Sequence, residues 1–158
     1  MDPFASPHNL DRELHSLLAQ ASSNLCDWFA ETGSKSPMPE SFELPEVYPA
    51  KEGVSNNVLL SELKLLMNGS YRPSHPGSLA HLDPPPLSAS IVGDLICAGL
   101  NNNLLAEELS PSLSSLERNL CKWFCKRLGF GDLSGGVAAS GGSLSNLMAL
   151  VMARNIAG

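Results

Sequence analysis

The sequence predicts a mostly α-helical fold. Apolar residues recur at helical spacing in five separate runs, and several of these runs begin at a serine or end at a glycine, as helices commonly do. Proline and glycine, which interrupt regular structure, are concentrated in the segments between the runs. Only residues 137–139 have the character of a strand, and three residues are too few to form a sheet by themselves.

The first predicted helix covers residues 9–32, with Gly33 just beyond its end. One face of this helix is apolar, and it contains Leu10, Leu14, Leu17, Leu18, Ala21, Leu25, Trp28 and Phe29. A helix with one apolar face needs a complementary groove, which this chain or a second copy would supply.

A proline-containing connector at 34–53 leads to a second predicted helix at 55–68, which Gly69 closes. The next segment, 70–86, is predicted to be irregular, and long loops of this kind are often functional. Two histidines in this loop, His75 and His81, are either ligand contacts or simply exposed side chains.

Two further helices are predicted in the second half of the chain. Ser88 is the expected cap of a helix over 89–105. Ser114 and Glu117 have the spacing of a capping box, which predicts that a helix begins there and continues to residue 128. This interpretation gives Glu117 a capping role rather than a catalytic one. The side chains expected to face inward from the second of these helices are Leu116, Leu120, Trp123 and Phe124.

The segment Ser140-Gly141-Gly142-Ser143 leads into the last apolar run, in which Leu144, Leu147, Met148 and Val151 share one helical face. Ser143 is predicted to be the N-cap of this helix. Glycines leave the backbone accessible, and the free amides and positive dipole end of a helix attract anions such as phosphate. The simpler alternative is an ordinary loop that ends in a cap. The segment is neither a Walker loop nor a dinucleotide-binding fingerprint.

Composition restricts the possible partners. A formal charge of −6 argues against nucleic acid, and no apolar run approaches the ~20 residues that span a membrane. Charged residues make up 16% of the chain, below the roughly 25% typical of soluble domains, which indicates that other protein covers part of the surface. The four cysteines are expected to be buried or half-buried reduced thiols of a cytosolic protein rather than metal ligands.

Three ordered stretches carry a resemblance to a known family. They are His75-Pro76 with Ala80-His81-Leu82-Asp83, then Asn101 through Ser110-Pro111, Leu116-Glu117 and Trp123, and finally Ser140 to Leu147 leading to Ala153-Arg154. Together they resemble the group II pyridoxal-phosphate-dependent amino-acid decarboxylases, the family of glutamate, aromatic-amino-acid and diaminobutyrate decarboxylases. The resemblance covers about residues 55–158.

The resemblance implies the N-terminal segment of an α/β fold type I, aminotransferase-like enzyme, with its large domain incomplete. Residues 1–86 would be helices and linkers that face the partner of a cytosolic homodimer, and they would include a substrate-loop segment at 75–86. Residues 87–158 would begin the large domain that binds pyridoxal 5′-phosphate. The residues that would hold the cofactor phosphate are Gly141, Gly142 and Ser143. Those that would line the pocket for the amino-acid substrate are His81 and Leu82.

One departure from the family pattern concerns catalysis. The family's Schiff-base lysine follows a histidine, whereas none of the five lysines here does: Lys35, Lys51, Lys64, Lys122 and Lys126. We therefore expect no catalytic residue in this chain and no decarboxylase activity from the chain alone. A truncation, a partial gene or a natural split into two polypeptides would account for this pattern. The competing hypothesis is a non-enzymatic helical module that binds another protein through its apolar faces.

Overall fold

The structure, a computed structural model, describes residues 4–45, 51–79 and 82–157. Within these ranges it contains five α-helices and two short 3-10 turns, which confirms the mostly helical prediction. The helices are α1 (Arg12–Ala30), α2 (Asn56–Asn68), α3 (Ser88–Leu100), α4 (Pro111–Arg127) and α5 (Gly142–Ala157), and the turns are Thr32–Ser34 and Glu107–Leu109. The chain divides into two compact units, residues 1–87 and 88–158, each of which is described by itself.

In the first unit α1 packs against α2. Helix α1 begins later than predicted because Asp11 is its cap, and Asp11 Oδ1 accepts the Leu14 N–H at 2.9 Å. The predicted boundaries of α2 are accurate to one residue, since the Ser55 hydroxyl caps its start and the Gly69 N–H donates to the Leu65 carbonyl at its end.

Arg72 fastens the loop after α2 to the end of α1. Its Nη1 donates to the Trp28 carbonyl at 2.7 Å and to Thr32 Oγ1 at 3.2 Å, and its guanidinium carbon lies 4.5 Å from the centre of the Trp28 ring. The Arg72 N–H also donates to the Pro37 carbonyl at 2.9 Å. A cation is favourable at this position because the last carbonyls of a helix carry partial negative charge.

In the second unit α3 ends at Leu100, five residues before the predicted end. The next residue, Asn101, has a φ of 45°, and asparagine tolerates this left-handed conformation better than most residues. The Asn101 N–H still donates to the Cys97 carbonyl, so the helix closes there. The chain then makes the 3-10 turn at Glu107–Leu109 and enters α4.

Helix α4 begins at Pro111, and the capping box predicted for Ser114 and Glu117 is wrong. Proline suits the first turn of a helix because its missing N–H would have no partner there. Ser114 therefore lies inside the helix, and its N–H donates to the Ser110 carbonyl. At the other end α4 stops one residue before the predicted end at residue 128, and the glycine that follows its last turn, Gly129, has a φ of 80°.

The structure corrects three further expectations. Within the described ranges there is no strand, so residues 137–139 do not form one. The apolar side chains expected to face inward from α4 are each more than half exposed, and they are Leu116, Leu120, Trp123 and Phe124. Two of the cysteines, Cys26 and Cys97, are exposed rather than buried or half-buried.

Large apolar side chains are exposed in both units, and Leu60, at 7% exposure, is the one buried apolar residue in the part of the chain that the structure describes. Exposed apolar surface on this scale is typical of a protein that contacts other protein. No helix among the described residues is both long enough and apolar enough to cross a membrane.

Candidate anion site

The N-terminus of α5 presents backbone N–H groups that have no partner among the residues that the structure describes. The first hydrogen bond of the helix runs from the Ser145 N–H to the Gly141 carbonyl at 3.0 Å. The N–H groups of Gly142, Ser143 and Leu144 come before it, and within residues 82–157 none of them donates to a carbonyl or a side chain. Residues 140–144 are exposed. These amides and the positive end of the helix dipole together favour an anion.

Ser143 is not the N-cap, which corrects the prediction. Helix α5 begins at Gly142, and the Gly141 carbonyl accepts both the Ser145 N–H and, at 3.2 Å, the Ser145 hydroxyl. Gly141 therefore occupies the cap position, and Ser143 lies in the first turn. The exposed Ser143 hydroxyl makes no hydrogen bond to the described residues, so it is available to a ligand.

Packing within the chain does not explain Gly141 and Gly142. A Cβ atom added to either glycine would meet no heavy atom within 4 Å, and neither residue has a positive φ. Their missing side chains instead leave the surface open beside the unpaired amides. This is the arrangement that a closely approaching phosphate requires.

The segment that enters the site is held by Glu117, a role that the sequence analysis missed. Glu117 Oε1 accepts the Ala138 N–H at 2.7 Å, across 21 residues of sequence. Nearby, a Cβ added to Gly136 would lie 3.5 Å from Cys121 Cβ, so the backbone approaches α4 closely here. Glu117 and Cys121 are four residues apart, so both lie on the face of α4 that this segment contacts.

An ion pair fixes the turn that precedes α4. Arg118 Nη2 lies 2.7 Å from Glu107 Oε1, and both side chains are more than half exposed. The hydrogen bond and the positive charge of Arg118 lower the pKa of Glu107 below its ordinary value of 4.5. The same contact raises the pKa of Arg118. The pair connects the Glu107–Leu109 turn to α4.

Of the two predicted substrate residues, the structure describes one, Leu82, in the first unit. Leu82 is 99% exposed, and His81 lies outside the described residues. His75 has a local structural role, because its Nδ1 accepts the Gly77 N–H at 2.8 Å. A Cβ on Gly77 would come within 3.1 Å of that nitrogen, which accounts for glycine at this turn.

The chain resembles known proteins in sequence and in fold. No protein-family model matches the chain. It is 34% identical over 108 residues to L-2,4-diaminobutyrate decarboxylase of Acinetobacter baumannii, a match that covers 68% of this chain and 21% of that protein. It is 31% identical over 121 residues to a glutamate decarboxylase-like protein of Gibberella zeae, covering 76% of this chain and 23% of that protein.

A third relative is the aromatic-L-amino-acid decarboxylase of Bacillus atrophaeus, which is 34% identical over 80 residues, covering 51% of this chain and 17% of that protein. The chain thus spans about a fifth of the length of the curated relatives it matches.

Solved structures share the fold. Mouse CSAD in its apo form superposes with a TM-score of 0.76 at 22% identity, over 90% of this chain and 31% of that one. Oryza sativa TDC, solved with PLP and tryptamine, gives a TM-score of 0.67 at 21% identity, over 81% of this chain and 28% of that one. The helical arrangement is therefore shared with part of each of these two structures. The sequence relatives specify the class further: the chain is a homologue of the group II pyridoxal-phosphate-dependent decarboxylases and corresponds to their N-terminal portion. The predicted family resemblance is confirmed.

Proposed function

We propose that this chain forms the N-terminal part of a pyridoxal-phosphate-dependent L-amino-acid decarboxylase, a carboxy-lyase of fold type I. The observation that carries the proposal is the set of exposed N–H groups at Gly142, Ser143 and Leu144, which have no partner in the described part of the chain. The sequence relatives support the enzyme class. The start of α5 offers a binding site for the anionic end of the cofactor.

The residues present fit a phosphate. Gly141 and Gly142 carry no side chain that would block its approach, and the Ser143 hydroxyl is free to donate. Together with the positive end of the α5 dipole, these groups would bind and orient the doubly charged tail of pyridoxal 5′-phosphate. When bound, the cofactor supplies the electron sink for the electron pair that remains after the substrate carboxylate leaves as CO2.

We assign no catalytic residue to these 158 residues. A cofactor-linked lysine is required for this chemistry, and in the family that lysine follows a histidine, which none of the five lysines here does. The chain alone is therefore proposed to be inactive, with the lysine contributed by protein beyond this sequence. This fits a chain that spans about a fifth of its relatives' length.

The remaining assignments rest on the family resemblance. Residues 1–86 would face the partner of a cytosolic homodimer, and residues 87–158 would begin the large, cofactor-binding domain of the α/β fold. His81 and Leu82 would line the substrate pocket. The exposure of Leu82 and of apolar side chains such as Trp123 supports the idea that other protein covers these surfaces.

The Ser143→Asp variant tests the proposed site, because it should affect the helix and the ligand in opposite directions. A carboxylate in the first turn interacts favourably with the helix dipole, so α5 should be as helical as in the wild type or more so. The same carboxylate would repel the phosphate, and affinity for pyridoxal phosphate should fall by about tenfold or more. Equilibrium dialysis measures the affinity, and far-UV circular dichroism measures the helicity.

Two control variants make this test specific. Ser88→Asp adds the same charge at the start of α3 and should leave the affinity unchanged. Ser143→Ala removes only the hydroxyl and should weaken binding by a few-fold. Equal affinities for the wild type and Ser143→Asp would refute this placement of the phosphate.

The second candidate function is a helical protein-interaction module. It is favoured by the exposed apolar side chains of both units, for example Ile96 and Leu150. This function predicts a folded chain with no affinity for pyridoxal phosphate, and the wild-type dialysis measurement therefore distinguishes the two candidates.

A further inference from the structure

The hydrogen bond from the Ala138 N–H to Glu117 Oε1 lies just before the anion site in the chain, and the proposed function gives it no role. A carboxylate that accepts a backbone N–H at 2.7 Å makes a charge-assisted hydrogen bond, which is stronger than a neutral one. Ala138 lies two residues before Ser140 and three before Gly141. The contact therefore fixes the backbone immediately before the anion site.

This segment has few other restraints. Gly135 and Gly141 would meet no atom within 4 Å even with an added Cβ, and residues 135–138 are exposed. Glycine-containing backbone has many accessible conformations, and fixing it in one of them costs entropy. An anion gains from all three N–H groups at the start of α5 only when the chain enters the helix in a single conformation.

The neighbouring ion pair does not compete for Glu117. Arg118 Nη2 donates a hydrogen bond to Glu107 Oε1 at 2.7 Å, and Glu107 belongs to the turn that precedes α4. Glu117 instead accepts its hydrogen bond from the segment that leads into α5. Adjacent residues of α4 thus hold two different stretches of chain, one before α4 and one after it.

We infer that Glu117 is a positioning residue for the anion site. By accepting the Ala138 N–H it holds the entry to α5 so that the N–H groups of Gly142, Ser143 and Leu144 point toward one ligand. Glu117 acts through the backbone and does not touch the phosphate, which its own negative charge would repel. This inference rests on the proposed function, because it assigns Glu117 a role in cofactor affinity.

The test compares Glu117→Ala with Glu117→Gln in the full chain. The alanine variant removes the acceptor, whereas the glutamine variant keeps a neutral carbonyl oxygen that accepts the same N–H. Two quantities are measured: the hydrogen-exchange rate of the Ala138 amide, by nuclear magnetic resonance, and the dissociation constant for pyridoxal phosphate, by equilibrium dialysis. Glu108→Ala is the matched control, because Glu108 is an exposed glutamate of the same unit.

For Glu117→Ala we expect both exchange at Ala138 and the dissociation constant to rise on the order of tenfold. Glu117→Gln should restore most of both, and Glu108→Ala should change neither. Rescue by glutamine separates positioning from a general effect of charge, because removing the repelling carboxylate would by itself tighten phosphate binding.

Three results would overturn the inference or its foundation. Unchanged exchange at Ala138 in Glu117→Ala would show that the carboxylate does not hold the segment. Faster exchange with an unchanged dissociation constant would show that it holds the segment without serving the ligand. If the wild type failed to bind pyridoxal phosphate at all, the proposed function would fail and this inference would fail with it.

Discussion

The Arg72→Ala substitution should destabilise the first unit more than the removal of an exposed arginine. Arg72 is only 5% exposed, and its guanidinium makes no ion pair with any residue in the described ranges. Its charge is balanced instead by the Trp28 carbonyl, the Thr32 hydroxyl and the Trp28 ring. Truncation to alanine removes all three contacts at once.

The magnitude follows from these contacts. The hydrogen bond to the Trp28 carbonyl at 2.7 Å has a charged donor and contributes about 1.5–3 kcal/mol. The guanidinium stacked at 4.5 Å on the Trp28 ring adds about 0.5–2 kcal/mol. The bond to Thr32 Oγ1 is longer, at 3.2 Å, and contributes least. Because these terms are not independent, we expect a loss of about 3 kcal/mol in the free energy of unfolding.

The assay is urea unfolding followed by tryptophan fluorescence. The chain has two tryptophans, so a Trp123→Phe background leaves Trp28 as the reporter of the first unit. Arg72→Lys keeps the charge and loses the planar fork, so it should lose roughly half as much stability. Arg12→Ala, which removes an exposed arginine, should change stability by less than about 0.5 kcal/mol. A loss below about 1 kcal/mol for Arg72→Ala would mean that the cost of burying the guanidinium offsets its contacts, and it would refute this reasoning.

Two further predictions concern carboxylates whose pKa the fold lowers. The Asp11 carboxylate accepts N–H groups at the start of α1. Asp11→Ala should therefore reduce the helicity measured by circular dichroism, whereas Asp11→Asn should retain most of it. Equal losses of helicity in the two variants would argue against a capping role. Arg118 lowers the pKa of Glu107 below 4.5, so the pair stabilises the fold at pH above that value, and its contribution disappears as the pH falls through the lowered pKa. The measurement is the free energy of unfolding of the wild type and of Arg118→Ala at a series of acid pH values. The difference between the two proteins should shrink below about pH 4.5, and a difference that stayed constant would contradict the prediction.

The helices were predictable because their signals are local. Periodic apolar residues located all five helices, and Ser55 and Gly69 marked both ends of α2. Where boundaries failed, another residue supplied the local conformation first: Pro111 starts α4 before Ser114, and Asn101 ends α3 by adopting a left-handed conformation. In both places two neighbouring residues could set the helix boundary, and their spacing in the sequence does not show which of them will do so.

The contacts between distant residues were not predictable. Glu117 has the spacing of a cap, yet its partner Ala138 is 21 residues away. Arg72 and Trp28 are 44 residues apart, and no periodicity connects them. In the anion site a Cβ atom on Gly141 or Gly142 would meet no heavy atom within 4 Å, whereas the cap is Gly141 rather than the predicted Ser143. The start of α5 is set by the Gly141 carbonyl, which accepts the Ser145 N–H and hydroxyl. Because every residue has a backbone carbonyl, the sequence does not indicate which one will accept these bonds.

The most direct test of the proposed phosphate site is an amide-resolved titration of the ¹⁵N-labelled chain with pyridoxal phosphate, followed by nuclear magnetic resonance. We expect saturable shifts that are largest at the N–H groups of Gly142, Ser143 and Leu144. Inorganic phosphate should reproduce these shifts, and pyridoxal without its phosphate should not. Shifts that are absent at millimolar ligand, or that are largest elsewhere in the chain, would contradict the assignment of this helix terminus as the cofactor's phosphate site.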